Sequence, residues 1–139
     1  MKQSVVEVEV RYKETDQMGV VHHSNYLVWF EIARTRLFKE LGFEYAKMEE
    51  TGYLIPVTAA DLAYKHPAKY GETVTVTAWI ESYNGIRIVY GYEVKNQDGI
   101  QCVTGTTTHV CVKKENFKPI PIRKHLPAWH EALEQNKRQ

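Results

Sequence analysis

A chain of 139 residues, 43% hydrophobic and 25% charged, has ordinary globular composition and enough length for a proper core. A formal net charge of +1 supplies no field for nonspecific nucleic-acid binding, and no 18-residue uncharged run offers a membrane-spanning helix. The first ten residues alternate Val and Glu without the apolar stretch of a signal peptide, so one domain over residues 1–139 in the cytoplasm is the expectation.

Val6, Val8, Val10 and Tyr12 alternate with Glu7, Glu9 and Arg11, the pattern of a half-buried strand that places Tyr12 in the core with its hydroxyl at the rim. Residues 13–21 form a loop holding Asp16, Met18 and Gly19. Ser24 is placed to cap a helix that runs to Leu41, with Gly42 as the residue just past its end. Tyr26, Leu27, Val28, Trp29, Phe30, Ile32 and Ala33 cover nearly every direction around the first two turns, which predicts a helix buried on all sides. Within it, Glu31 is expected to pair with Arg34 or bond Thr35. Residues 45–50 read as a short helix stopped by Gly52.

Strands follow over residues 54–65, 73–83, 86–95 and 100–113. Asn84-Gly85 predicts a type I′ hairpin between the second and third of these. Val74, Val76, Ala78 and Ile80 share one face of the second, and Ile88, Tyr90, Tyr92 and Val94 share one face of the third. If residues 100–113 are one strand, Cys102 and Cys111 stand about 30 Å apart on opposite faces and remain free thiols in a reducing compartment. Pro119 and Pro121 forbid another central strand, and Pro127 opens a terminal helix carrying Trp129 and Leu133. One strand, one helix and a four-strand antiparallel meander give an α+β fold of five strands curled around one long helix, with a short C-terminal helix.

The chemistry collects at the start of the long helix. A helix N-terminus carries about half a positive charge and several unpaired N–H groups, which stabilise an oxygen gaining negative charge. Asp16 lies on a loop that ends at that place. With a carbonyl compound present, the amides near Asn25 and Tyr26 polarise the C=O, while Asp16 activates water or attacks the carbon. Thioesters suit so small an apparatus, because a thiolate leaves with little acid assistance. The ordinary reading of Asp16 is an Asx-turn residue. His22 and His23 are sequence neighbours that point apart in extended chain, with no third ligand nearby, so no metal is expected.

The run R-Y-x-x-T-D-x-x-G-V-V-x-H-x-x-Y at residues 11–26 resembles the N-terminal signature of hot-dog-fold acyl-CoA thioesterases in the 4-hydroxybenzoyl-CoA thioesterase superfamily, most closely the YbgC-like branch. E-x-A-R-T-x-L at residues 31–37 and Y-x-x-P-A-x-Y at residues 64–70 fit the same pattern. The resemblance implies hydrolysis of an acyl-CoA thioester without metal or other cofactor, Asp16 being the catalytic carboxylate. It implies that Tyr12 and His23 assist, and that the helix start at Ser24, Asn25 and Tyr26 polarises the thioester. It further implies homodimers joined through their sheets with active sites at the boundary, often assembled into homotetramers. His22 stands where an aromatic is more usual, which leaves the division of labour between His22 and His23 open. Lys65, Lys69 and Arg87 are candidate coenzyme A contacts by charge alone.

Two other functions fit the residues less well. Acyl-thioester hydratases of the same fold carry D-x-N-P-x-H, whereas His22 and His23 lie six and seven residues after Asp16 with no Asn-Pro between. A noncatalytic acyl-CoA-binding regulator would need an appended DNA-binding unit, for which the few residues before the first strand leave no room.

Overall fold

The computed structural model describes residues 1–139. β1 (Gln3–Glu9) leads through a 3₁₀ turn (Tyr12–Glu14) and the Asp16 loop into α1 (Asn25–Glu40). Then come α2 (Tyr45–Glu50), β2 (Tyr53–Leu54), β3 (Val57–Tyr64), β4 (Thr73–Tyr83) and β5 (Arg87–Lys95). β6 (Gln101–Val110), β7 (Val112–Lys113), α3 (Ile122–His125) and α4 (Pro127–Asn136) complete the chain. Five strands form one antiparallel sheet in the order β1-β4-β5-β6-β3, and β2 pairs with β7 in a separate ribbon.

The sheet closes on α1 as the hydrophobic pattern predicts. Trp29, Phe30, Ala33 and Leu37 are fully buried against the inward faces of β4 (Val74, Val76, Ala78, Ile80) and β5 (Ile88, Tyr90, Tyr92, Val94). Phe30 lies flat on Tyr92, ring centroids 4.1 Å apart. Close approach of β6 requires Gly105: a Cβ there would meet the Phe30 ring at 2.8 Å. The far end of α1 stops where Gly42 adopts φ +99°, so that Gly42 N donates to Lys39 O and Phe43 N to Phe38 O, with the Phe38 and Phe43 rings stacked at 5.5 Å.

Several expectations are corrected. β1 ends at Glu9, and Tyr12 sits in the 3₁₀ turn with 77% of its surface exposed rather than in the core. The strand expected over 54–65 is split into β2 and β3, because Pro56 supplies no ladder donor. β3 then pairs with β6 at one edge of the sheet, so only β4, β5 and β6 form a meander. Residues 65–72 carry the chain from β3 across the end of the sheet to β4, fixed by Val21 N to Ala68 O (2.9 Å) and by the Val20–Lys69 bridge. The hairpin between β4 and β5 is present, but its turn is not type I′, which needs positive φ at two successive residues. Gly85 has φ +94° and Asn84 does not; the Asn84 side chain instead accepts from the amides of Ile86 and Arg87. The strand expected over 100–113 breaks at Cys111, so face parity no longer separates the thiols: Cys102 and Cys111 are both buried in the core, and both are free.

α1 is also not buried on all sides within one chain. Leu27, Val28 and Ile32 are each more than 40% exposed along one stripe, and Glu31 is exposed among them. Arg34 pairs with neither Glu31 nor another carboxylate; it donates to Tyr92 Oη at 3.2 Å. No helix is long and apolar enough to cross a membrane.

Candidate active site

Asp16 opens a tight turn. Its Oδ1 accepts from Met18 N at 2.8 Å, its carbonyl from Gly19 N at 3.0 Å, and its own amide donates to Val20 O at 2.9 Å. Gly19 at φ +80° lets the chain return, and Thr15 bridges Val21 across the turn. The Asx-turn of the ordinary reading is therefore present. It occupies one carboxylate oxygen; Oδ2 engages no donor of the protein, and the residue is only half-buried.

A buried carboxylate ties that turn to α1. Glu14 Oε1 accepts from Arg11 N (2.8 Å), and Oε2 accepts from Trp29 Nε1 (2.9 Å) and Arg11 Nη2 (3.3 Å). Burial acts to raise its pKa, but the donors of Arg11 and Trp29 outweigh this and hold it below its ordinary value. The Glu14 carbonyl accepts from His22 N (2.8 Å) and Asn25 Nδ2 (2.9 Å). Asp16 is two residues further on, so its backbone lies within about 7 Å of a carbonyl bonded to the first residue of α1. Periodicity does not single out Glu14, which stands in a polar stretch read as loop and at an unspecified position of the first motif.

The helix mouth is open. Ser24 already has helical angles (φ −65°, ψ −24°), so its hydroxyl cannot turn back onto the first-turn amides and bonds His22 Nδ1 at 2.8 Å instead. Asn25 N is taken by His22 O at 3.0 Å, whereas no acceptor upstream of the helix engages the amides of Tyr26 and Leu27. Of the predicted helix-start donors, Tyr26 N is the one left free. The Tyr26 ring is buried, with its hydroxyl accepting from Ala68 N at 3.4 Å.

His22 and His23 do not point apart: a turn at His23 and Ser24 brings their rings to 4.2 Å. Both are exposed, and His23 meets Tyr64 edge-on at 6.3 Å. Tyr12 meets Tyr70 edge-on at 5.7 Å. Tyr64, Tyr70 and the crossing segment between them thus form the other wall of the mouth, which explains the position of the third motif. Lys69 lies on that segment, bridged to Val20, and Lys65 reaches Gln101 Oε1 at 3.0 Å. Arg87 is not brought to the site within one chain: it begins β5, about 25 Å of strand from the end where Lys95 pairs with Gln101.

Four hollows adjoin α1, and two of them bear on the site. The larger, about 530 Å³ between Phe43, Met48 and Trp129, lies at the C-terminal end of the helix, about 20 Å from Asp16's end. A groove of about 310 Å³ runs between α1 and β3, lined by Leu27, Val28, Glu31, Arg34, Val57, Ala60 and Thr107. Only the second begins at the helix mouth, so size is a poor guide to chemistry here.

The geometry of a carboxylate turn clamped beside an open helix end agrees with what the chain is similar to. The family described as Thioesterase-like superfamily matches residues 10–130. The chain belongs to this superfamily. It is 53% identical over 138 residues, 99% of this chain and 100% of the relative, to the protein named "Putative acyl-CoA thioesterase YneP" of Bacillus subtilis (strain 168). A crystal structure of a DHNA-CoA thioesterase from Staphylococcus aureus superposes with a TM-score of 0.94 at 45% identity, covering 97% of this chain and 91% of that one. The 1,4-dihydroxy-2-naphthoyl-CoA hydrolase of Thermosynechococcus vestitus is 26% identical over 121 residues, 86% of this chain and 83% of the relative. With these matches the sheet-wrapped helix is the hot-dog fold of the thioesterases, and the chain is a thioester hydrolase.

Proposed function

We propose that this thioesterase hydrolyses acyl-CoA to the free acid and coenzyme A without a metal. Asp16 is the general base or the attacking carboxylate, and the Tyr26 amide polarises the thioester carbonyl. As base, Asp16 takes a proton from water while the water oxygen bonds to the carbonyl carbon. The C–S bond then breaks and the thiolate leaves. As nucleophile, an Asp16 carboxylate oxygen bonds to the carbonyl carbon, the C–S bond breaks as the thiolate leaves, and water then cleaves the resulting anhydride to free the acid and restore the carboxylate. The observation that carries this reading is the Glu14 junction, which holds the Asp16 turn against a helix end whose Tyr26 amide has no protein acceptor.

Tyr12 and His23, with Tyr64 and Tyr70, line the mouth against the pantetheine arm and orient substrate or water. Lys65 and Lys69 are placed for coenzyme A phosphates; Arg87 serves only if a neighbouring subunit brings it close. The matched relatives favour an aryl thioester, and 1,4-dihydroxy-2-naphthoyl-CoA is the first substrate to try. The working unit is a homodimer, with a tetramer as its further assembly, in the reducing cytoplasm where buried thiols stay free.

Thiol release across a panel of acyl-CoA substrates tests the activity. Asp16→Asn should lower kcat by about 10²-fold or more, the scale of a positioned base. A variant that turns over its best substrate at the wild-type rate would remove Asp16 from the mechanism.

A further inference from the structure

The end of the sheet opposite Asp16 carries a charge that the net figure conceals. β4 starts at Thr73, after the segment docked on Val20 and Val21, and ends at Tyr83, about 30 Å away. At that far end the chain reads K-K-E-N-F-K over residues 113–118 and I-R-K-H over residues 122–125. Lys113, Lys114, Lys118, Arg123 and Lys124 stand there against one acid of the same stretch, Glu115. None of the five lies within 4.0 Å of a carboxylate, Glu49 and Glu50 at the end of α2 included. With +1 for the whole chain, the rest of the molecule is net negative. Backbone bonds gather this end: Lys113 N donates to Lys118 O at 3.0 Å, and Ile122 N to Gly85 O at 3.0 Å, which sets both runs beside the β4–β5 hairpin.

An aromatic ring stands among these cations. Phe117 is 60% exposed, and it is the chain's one non-glycine residue with positive φ, at 57°. A bulky side chain is an outlier in that conformation, and its neighbour Asn116 would adopt it more readily. The loop is nevertheless held: Phe117 N donates to Lys113 O at 2.8 Å, and Lys118 N to Asn116 Oδ1 at 2.9 Å. Ile86, in the β4–β5 hairpin, is a second exposed apolar side chain at this end. An exposed ring and an exposed isoleucine among unpaired cations match a lipid surface, whose interface takes apolar groups and whose anionic headgroups attract lysines. A nucleic acid could use the cations and the ring, but it offers isoleucine no comparable contact. We propose that this end docks the protein on a bilayer bearing anionic lipids. Phe117 enters the interface, and Lys113, Lys114 and Lys118 neutralise headgroups around it. The docking stands apart from the chemistry at Asp16.

Vesicle flotation of the full chain tests this, with phosphatidylcholine alone and with equal parts phosphatidylcholine and phosphatidylglycerol. The wild type should float with the mixed vesicles and not with phosphatidylcholine, and added salt should release it. Each lysine near an anionic surface is worth about fivefold in affinity, so combining Lys113→Gln, Lys114→Gln and Lys118→Gln should weaken binding about 100-fold. Phe117→Asn should weaken it about tenfold, by loss of the buried ring. Asn suits the left-handed angle, so this variant folds at least as well as wild type. Phe117→Trp should keep the binding. Thiol release without vesicles should be unchanged in every variant. Equal flotation on the two vesicle types, or flotation on neither, would overturn the inference. So would wild-type flotation of Phe117→Asn. A raised KM for acyl-CoA in the lysine variant would instead make this end a coenzyme A contact of a neighbouring subunit. Labelled duplex DNA bound as tightly as the mixed vesicles would give the cations to nucleic acid, against the proposal. Flotation needs no turnover, so failure of the hydrolytic reading leaves this test in place.

Discussion

Glu14 ties the Asp16 turn to α1 through Trp29 and Asn25. Three donors converge on one buried carboxylate, and every one has a hydrogen to give. Glu14→Gln keeps the shape but turns an NH₂ toward Arg11 N–H or Trp29 N–H. A donor left facing a donor in a buried place costs about 1–3 kcal/mol. Urea unfolding should show that loss, and kcat should fall with it because the Asp16 turn is no longer held to α1. Wild-type stability in Glu14→Gln would mean the bonds to Arg11 and Trp29 contribute nothing net. His109 offers a second test, in pH. Burial, then the nearby Arg34 charge, push its pKa down to about 4 from an ordinary 6.5. The unfolded chain takes up a proton as pH falls through 6.5, and the folded protein does not until about 4. The neutral imidazole therefore adds stability in full above about pH 6.5, and this is lost progressively as pH falls toward 4. The size is about 3 kcal/mol. Comparing urea midpoints of wild type and His109→Gln at pH 7 and pH 4.5 isolates it. A difference that does not change between the two pH values would contradict the assignment.

Contacts between elements turn on two side-chain sizes. Phe30 of α1 can lie on Tyr92 only because Gly105 of β6 presents no Cβ, and an added methyl would also approach Asp61 O of β3 at 2.9 Å. Backbone and a stacked ring cannot both retreat, so Gly105→Ala should destabilise by about 1–3 kcal/mol. A denaturation midpoint equal to wild type would show that the helix and sheet are less closely packed than this. The hydrophobic spacing made most elements legible: α1, α2, the inward faces of β4 and β5, and α4 follow from which residues must leave water. It could not show that Pro56 ends a ribbon and starts an edge strand, or that β3 would cross to β6. Strand order depends on where residues 65–72 dock, and that docking is made by backbone bonds at Ala68 and Lys69, which no side-chain pattern records. In the site, Asp16 and the helix start were readable from a motif. The roles of Glu14 and Arg34 were not, since Glu14 falls at an unspecified position of its motif and the partners that define them, Trp29 and Tyr92, lie 15 and 58 residues on.

Within one chain the molecule leaves a surface unfinished. β3 is an edge strand with both faces open to solvent, Val57 and Tyr64 being about half exposed. Its outer backbone groups have no ladder partner, and such an edge is a template for another strand. Beside it on α1 runs the stripe of Leu27, Val28 and Ile32. An apolar stripe next to an open edge is what an isologous twofold interface requires: β3 pairing antiparallel with its copy, and the two α1 stripes meeting above. The same pairing would roof the groove between α1 and β3, so assembly and catalysis should fail together. Ile32→Glu tests this because Ile32 lies on the stripe and not among the groove-lining residues. In a monomer, a charge at this 45%-exposed position changes stability by about 0.5 kcal/mol or less. In a dimer it buries an unpaired carboxylate in an apolar seam. Light scattering should report at least twice the 16.2 kDa chain mass for wild type and a single chain mass for Ile32→Glu, with thiol release lost in the variant. A monomeric wild type that hydrolyses its substrate would show that the stripe and the open edge serve something other than self-association.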